Sequence, residues 1–361
     1  MVDNNKIERI KESISKLFNN NNSNNYIFIY TPPKVGSTTL VSSLRISLGK
    51  TYNIIHIHDE VMLSVLTGIN NITVNEMINY LATSGNNVYV IDVYRTPIER
   101  KMSEFFEKIS PYHFNNTEEN INNYSIERVS NRFNKIFTHI EKEDHYFDKY
   151  NIPNPIPFDY NNKYTIQEIN KIKYVKLRLC DATIWSILLS NILNTHIVLV
   201  TDYQTENKKI GELYKKFKNE YKLPSNFFEI IKECKYLKFY YSKEEKERYL
   251  NFWACRLCDP VIPYTDDEYK FYVNLYLENQ HINDIQIEHY IDNGCFCKYC
   301  SIRRRDIFFK SKNGEAQFEK IIHEDVVIEE KINKIININQ ILKKKMQNKK
   351  YSANQFSIKL K

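Results

Sequence analysis

Glycine and proline are scarce: 7 and 10 residues in a chain of 361. That excludes collagen-like and elastic proteins, which need both in quantity. No apolar run approaches the ~18 residues of a membrane helix, so no transmembrane span is expected. The first residues, MVDNNKIERIKESISKLF, have neither an apolar core nor a cleavage site, so they are not a secretory signal. The expectation is a soluble, cytoplasmic protein. An excess of one charge is also missing: 51 Lys and Arg face 44 Asp and Glu, a net +7. A charge this mild suits an anionic small molecule as well as a nucleic acid and selects neither.

What is present suits a folded enzyme-sized protein. Hydrophobic residues make up 42% and aromatics 14%, including 27 Tyr and 20 Phe, which excludes a wholly disordered chain. The length allows a large core without disulfides. It fits two domains, or one large α/β domain with an appendage. The heavy use of Asn, Ile, Lys and Tyr reads as codon bias from an AT-rich genome, such as that of a virus or protist.

Ile7, Ile10, Ile14 and Leu17 fall at helical spacing over 4–18, and an Asn-rich linker follows at 19–25. Tyr26–Tyr30 (YIFIY) reads as a buried strand, 38–48 as a helix, and 52–58 (YNIIHIH) as a second strand. Helical segments fill 59–84, Asn87–Tyr94 is a third strand, and 97–109 is a helix opened by Pro97. Residues 111–170 are weakly patterned and read as an insertion with a helix near 125–146. Further strands are expected at Lys173–Leu179 and His196–Thr201, with helices at 182–193 and 204–221. A helix at 242–253 carries a capping box, Ser242 with Glu245. Alternating strands and helices imply a parallel sheet covered on both faces.

The most informative segment is TPPKVGSTT, between the first strand and its helix. Such a loop is an anion site, because free backbone N–H groups and the helix dipole point at a bound oxyanion. Lys34 adds a charge, Gly36 allows close backbone approach, and Ser37, Thr38 and Thr39 add hydroxyls. The triphosphate-binding pattern, GxxxxGK then Ser or Thr, is absent, so ATP or GTP hydrolysis is not supported. The plain alternative is an ordinary turn with a solvated lysine. The third strand ends at Arg95, and Ser103 follows eight residues later on the next helix. Ligands of open α/β sheets bind at the carboxyl ends of strands. An Arg fork with a hydroxyl there suits a second phosphate. Here the alternative is an Arg paired with a carboxylate.

Together, PKVGSTT and VYRTPIERKMSEFF resemble the 5′-phosphosulfate loop and the 3′-phosphate segment of sulfotransferases that use 3′-phosphoadenosine 5′-phosphosulfate (PAPS). The R-x-P-I-x-R form is closest to carbohydrate-type and capsular-polysaccharide families. The resemblance spans roughly residues 26–253. It implies a P-loop-type, three-layer α/β/α domain with a central parallel sheet. The implied activity is transfer of a sulfuryl group from PAPS to an acceptor hydroxyl or amine, with a carbohydrate as the expected acceptor. Lys34 would contact the bridging oxygen. Val35, Gly36, Ser37, Thr38 and Thr39 would cradle the 5′-phosphate, and Arg95 and Ser103 would hold the 3′-phosphate. The general base stands just after the second strand in such folds. Here that segment is HIHDE, giving His58 first, then Glu60, then His56, with Glu104 and Glu107 as further candidates. Strand alternation puts His56 and His58 on one face. Tyr112, His113, Phe114, Tyr146 and Phe158 could stack on an acceptor, although packing is the commoner role of such rings.

Five of seven cysteines fall within 255–300. Cys255/Cys258 and Cys297/Cys300 form two CxxC pairs, the donor set of a structural zinc, with Cys295, His281 and His289 nearby. The alternative is a set of free thiols. RRR at 303–305 and KKK at 343–345 are basic runs, for which a solvated surface outweighs nucleic-acid binding. The expected organisation is a helix and linker over 1–25, a catalytic domain over 26–253, a Cys-rich module over 254–321 and a basic helical tail over 322–361. The competing reading is an inactive sulfotransferase-like protein that acts in binding or assembly through a zinc module.

Overall fold

The computed structural model describes residues 4–18, 23–114, 118–140, 143–200 and 205–277. In chain order they form α1 (Asn4–Leu17), β1 (Asn25–Tyr30), α2 (Ser37–Leu48), β2 (Asn53–Ile57), α3 (Glu60–Thr67), α4 (Val74–Thr83), β3 (Asn87–Tyr94) and α5 (Pro97–Glu107). Then come α6 (Glu118–Ile121), α7 (Ile126–Ile136), α8 (His145–Asp148), β4 (Thr165–Ile169), β5 (Ile172–Arg178) and α9 (Trp185–Leu193). The last helices are α10 (Gly211–Glu220), α11 (Ser225–Lys232), α12 (Lys235–Tyr240), α13 (Lys243–Ala254) and α14 (Asp266–Leu277).

Contacts divide the chain into two units. The described residues within Met1–Lys101, Glu141–Gln204 and Ser225–Cys258 form the first, which holds the five-stranded sheet in the order β2-β1-β3-β5-β4. Strands β2, β1, β3 and β5 are parallel, and β4 runs antiparallel to β5. The sheet is therefore mixed rather than wholly parallel. The cause is local: β4 and β5 are joined by Asn170 and Lys171, both with positive φ (50° and 66°), the backbone of a tight hairpin turn.

Strand alternation builds two cores. Tyr26, Phe28 and Tyr30 face one side of the sheet, where they pack with Ile10 of α1, Leu63 of α3 and Met77 of α4. Ile27 and Ile29 face the other, with Leu44 of α2 and Trp185 and Leu189 of α9. Helices thus cover both faces, as alternating strand and helix patterns require.

Several boundaries differ from the sequence-predicted ones. Residues 196–200 are not a strand. Both edges of β1 are occupied by β2 and β3, and the backbone of 196–200 is instead served by serine hydroxyls. Ser43 and Ser47 on α2 accept from Val200 and Val198 N–H at 2.9 Å each. On α9, Ser190 accepts from Ile197 N–H at 3.0 Å, and Ser186 donates to its carbonyl at 2.6 Å. The helix expected near 125–146 ends at Ile136, and that expected over 204–221 is α10, Gly211–Glu220. The capping box at Ser242 and Glu245 opens α13 as expected.

The second unit comprises the described residues within Met102–Ile140, Thr205–Pro224 and Asp259–Lys361. Its core is aromatic: Phe133 meets Phe105, Phe137, Phe217 and Tyr221 edge-on at 5.3–5.5 Å. The Tyr221 hydroxyl donates to Asn134 Oδ1 at 2.7 Å. The region read as one insertion, 111–170, falls in both units: its first part lies here, and Asp144, Tyr146 and β4 lie with the sheet.

Candidate functional site

The strand order reverses direction between β1 and β3, and the loop Thr31–Gly36 leaves the sheet at that switch point. Its first residue is pinned. Thr31 Oγ1 donates to Asp92 Oδ1 at 2.7 Å and accepts from Val93 N–H at 3.1 Å. Lys34 and Gly36 both have positive φ, 67° and 88°. Glycine is needed at 36: a Cβ there would lie 2.7 Å from Leu179 Cδ1 and 3.2 Å from the Trp185 ring. Gly36 is the N-cap of α2 and has no side chain with which to cap it, so the first N–H groups of the helix face the loop. Ser37 is buried, and Thr38 and Thr39 are half-buried on the first turn.

Arg95, at the end of β3, donates from Nη1 to the Lys34 carbonyl at 2.8 Å. The two segments singled out in the sequence therefore meet, and the arginine is tied to the loop backbone. Val35 is buried in the core with Leu40 and Trp185. Ser103 is buried on α5 within the second unit, where Glu104 accepts from Lys108 at 3.5 Å and Glu107 pairs with Lys208 at 2.9 Å.

The base candidates cluster at the end of β2. His56 and His58 do share a face, with ring centroids 4.4 Å apart and nearly perpendicular. His58 Nδ1 lies 2.6 Å from the Thr31 carbonyl. Only a protonated Nδ1 can serve that oxygen, so Nε2 carries the lone pair. Burial lowers the His58 pKa, and the nearby Lys34 and Arg100 charges lower it further against the opposing effects of the Thr31 bond and Asp59. His56 falls to about 4, chiefly through burial and then through His58. Glu60, on the first turn of α3, accepts from the Tyr30 hydroxyl at 3.0 Å.

Several residues here were not singled out from sequence. Lys176 on β5 is fully buried between Asp92 and Asp144, at 2.6 Å from each. Its ammonium stands 4.6 Å from the Tyr240 ring centroid, and the Tyr240 hydroxyl donates to Asp144 at 2.8 Å. Burial raises the Asp144 pKa against the pull of Lys176. Arg178, at the end of β5, grips Glu245 through both terminal nitrogens, at 2.7 and 3.1 Å, and Asp181 through Nε at 2.7 Å. These networks fix the strand ends around the loop. Arg100 on α5 is 6% exposed and donates from Nη1 to the Glu143 carbonyl at 2.6 Å.

Four of the aromatic acceptor candidates, all but the half-buried Tyr112, are packed into the cores. In the first unit Tyr146 is buried, and Phe158 is buried with the Arg178 guanidinium 4.8 Å from its ring centroid. In the second, His113 stacks on Phe105 at 4.6 Å, and Phe114 meets the same ring edge-on. Of the zinc candidates, Cys255 is exposed beyond α13 and Cys258 is half-buried. Cys297, Cys300, Cys295, His281 and His289 lie outside the described residues, as do both basic runs. Among the described residues no cluster of metal-ligating side chains occurs, and no helix is long and apolar enough to cross a membrane. Comparison with protein-family models, with curated proteins and with solved structures finds no match for this chain.

Proposed function

We propose that the chain is a sulfotransferase that uses PAPS as its donor substrate and a hydroxyl-bearing molecule as acceptor. The observation that carries this reading is the bond from Arg95 to the Lys34 carbonyl, which joins the loop after β1 to the end of β3 at the sheet's switch point. The residues fit the donor. Gly36 brings backbone close to a bound group, the glycine-started first turn of α2 offers N–H donors to a 5′-phosphate, and Lys34 supplies charge. Arg95 is assigned to the 3′-phosphate that separates PAPS from ATP. The reading rests on these residues and on the likeness of the two motifs.

In the reaction, the acceptor oxygen attacks the sulfur, and the bond from sulfur to the bridging oxygen of the 5′-phosphate breaks. Lys34 offsets the charge that builds on the departing phosphate oxygen. His58 takes the acceptor proton on Nε2, the nitrogen left unprotonated by the Thr31 bond. Glu60 is held by Tyr30 and comes second for that role.

The test is incubation of the full chain with radiolabelled PAPS and a panel of neutral and acidic carbohydrates. Label is expected on at least one acceptor, with His58→Gln lowering the rate by ~10²–10⁴-fold. Transfer that is absent across the panel, or unaffected in both His58→Gln and Lys34→Ala, would refute the assignment.

A further inference from the structure

Among the cations buried in the first unit, Lys176 and Arg178 are matched by carboxylates. Lys176 sits between two carboxylates, and Arg178 between Asp181 and Glu245. Arg100 is different. It is 6% exposed, and its one side-chain hydrogen bond among the described residues is from Nη1 to the Glu143 carbonyl. Its Nε and Nη2 are buried and donate to no group among the described residues. A guanidinium stays charged at any ordinary pH. A charge out of water with most of its donors unmatched is costly unless an anion is there to meet it.

A second unmatched atom lies beside it. His145, 1% exposed, is two residues from the carbonyl that Arg100 holds. Its ring is 4.7 Å from the Tyr30 ring. Burial holds the imidazole neutral, its pKa lowered to about 3, and Nδ1 is buried without a partner. A neutral imidazole has one bare nitrogen, and with the proton on Nε2 it is Nδ1 that offers the lone pair. The link between the two side chains is Glu143, whose carbonyl Arg100 holds two residues before the histidine.

We infer that Arg100 and His145 form a buried subsite, at the carboxyl end of β1, for an oxyanion that keeps a hydroxyl hydrogen. The guanidinium edge takes two oxygens of the anion, and His145 Nδ1 accepts the hydroxyl. A hydrogen phosphate group or the carboxylate of a hydroxy acid supplies both, whereas sulfate supplies only acceptors. The subsite stands on residues outside the donor loop. Only the identity of the molecule that carries the oxyanion, an acidic sugar-type acceptor or the donor nucleotide, rests on the function proposed above.

The experiment follows the histidine ring signals of the full chain by NMR during titration with inorganic phosphate and, separately, sulfate. His145→Gln assigns its signal, and Arg100→Met is run in parallel with urea unfolding of both proteins. A saturable phosphate shift at His145 is expected, with sulfate at least about tenfold weaker. In Arg100→Met the shift is lost, while the urea midpoint stays equal to or above that of the parent. No saturable shift in the parent, an unchanged shift in Arg100→Met, or equal affinity for the two ions would overturn the subsite. A repeat with saturating adenosine 3′,5′-bisphosphate separates the sources. Phosphate that still binds assigns the subsite to the acceptor, and displaced phosphate assigns it to the nucleotide. If the bisphosphate itself does not bind while phosphate does, the donor assignment fails and the subsite stands.

Discussion

Gly36 is the residue on which the loop geometry turns. Its φ of 88° is strained for any other residue, and a Cβ would press on Leu179 and Trp185. Gly36→Ala is expected to cost about 2 kcal/mol, read by urea unfolding, and to abolish nucleotide binding. The buried histidines make a pH prediction. Burial holds His145 at about 3 and His56 at about 4, below the ordinary value near 6.5. The unfolded chain therefore takes up more protons than the folded one between those limits. The stability they contribute is complete above about pH 6.5 and is lost as pH falls toward 4 and 3, on the order of 3 kcal/mol for His145 by pH 4. His145→Gln should flatten that part of the curve, and an unaltered slope would refute the assignment. The same reasoning applies to activity: because His58 is lowered, the acid limb of the rate profile is expected below pH 6.5.

At this scale the sequence singled out Lys34, Gly36, Arg95 and His58 but not Asp92, Lys176, Arg100 or His145. The missed residues owe their character to burial and pairing, which no local pattern encodes. A faint signal existed: NVYVIDVY and KYVKLRL each carry charge inside an otherwise apolar strand. A charge there needs a partner.

Among elements, β3 and β5 are joined through Lys176 and Asp92 as well as through their ladder. Lys176→Met leaves two buried carboxylates facing each other. It is expected to cost ~3–5 kcal/mol, while Lys176→Met combined with Asp92→Asn and Asp144→Asn recovers much of it. The segment 196–200 is held by four serines, so Ser43→Ala with Ser190→Ala should cost roughly 1 kcal/mol per lost bond, checked by the same unfolding curves. Its apolar run HIVLV reads as a strand, yet the sheet has no slot for it beside β1. The ladder is decided by which edges other strands have taken. The hairpin of β4 and β5 was legible in principle, since Asn170-Lys171 separates two β-branched, half-alternating runs. The aromatic and Asn-rich stretch before it obscured the pattern.

For the whole molecule, the first three strands with the helices between them, and the capping box that opens α13, follow from periodicity and turn chemistry. Strand order and the second unit do not, because they depend on contacts between residues far apart in the chain. The central claim is that the crevice holds a nucleotide marked by a 3′-phosphate. Its most direct test is calorimetric titration of the full chain with adenosine 3′,5′-bisphosphate beside ATP and AMP, with Arg95→Ala in parallel. The account requires binding of the bisphosphate in preference to the other two, lost in Arg95→Ala. Equal binding of ATP, or no binding of the bisphosphate, would contradict it.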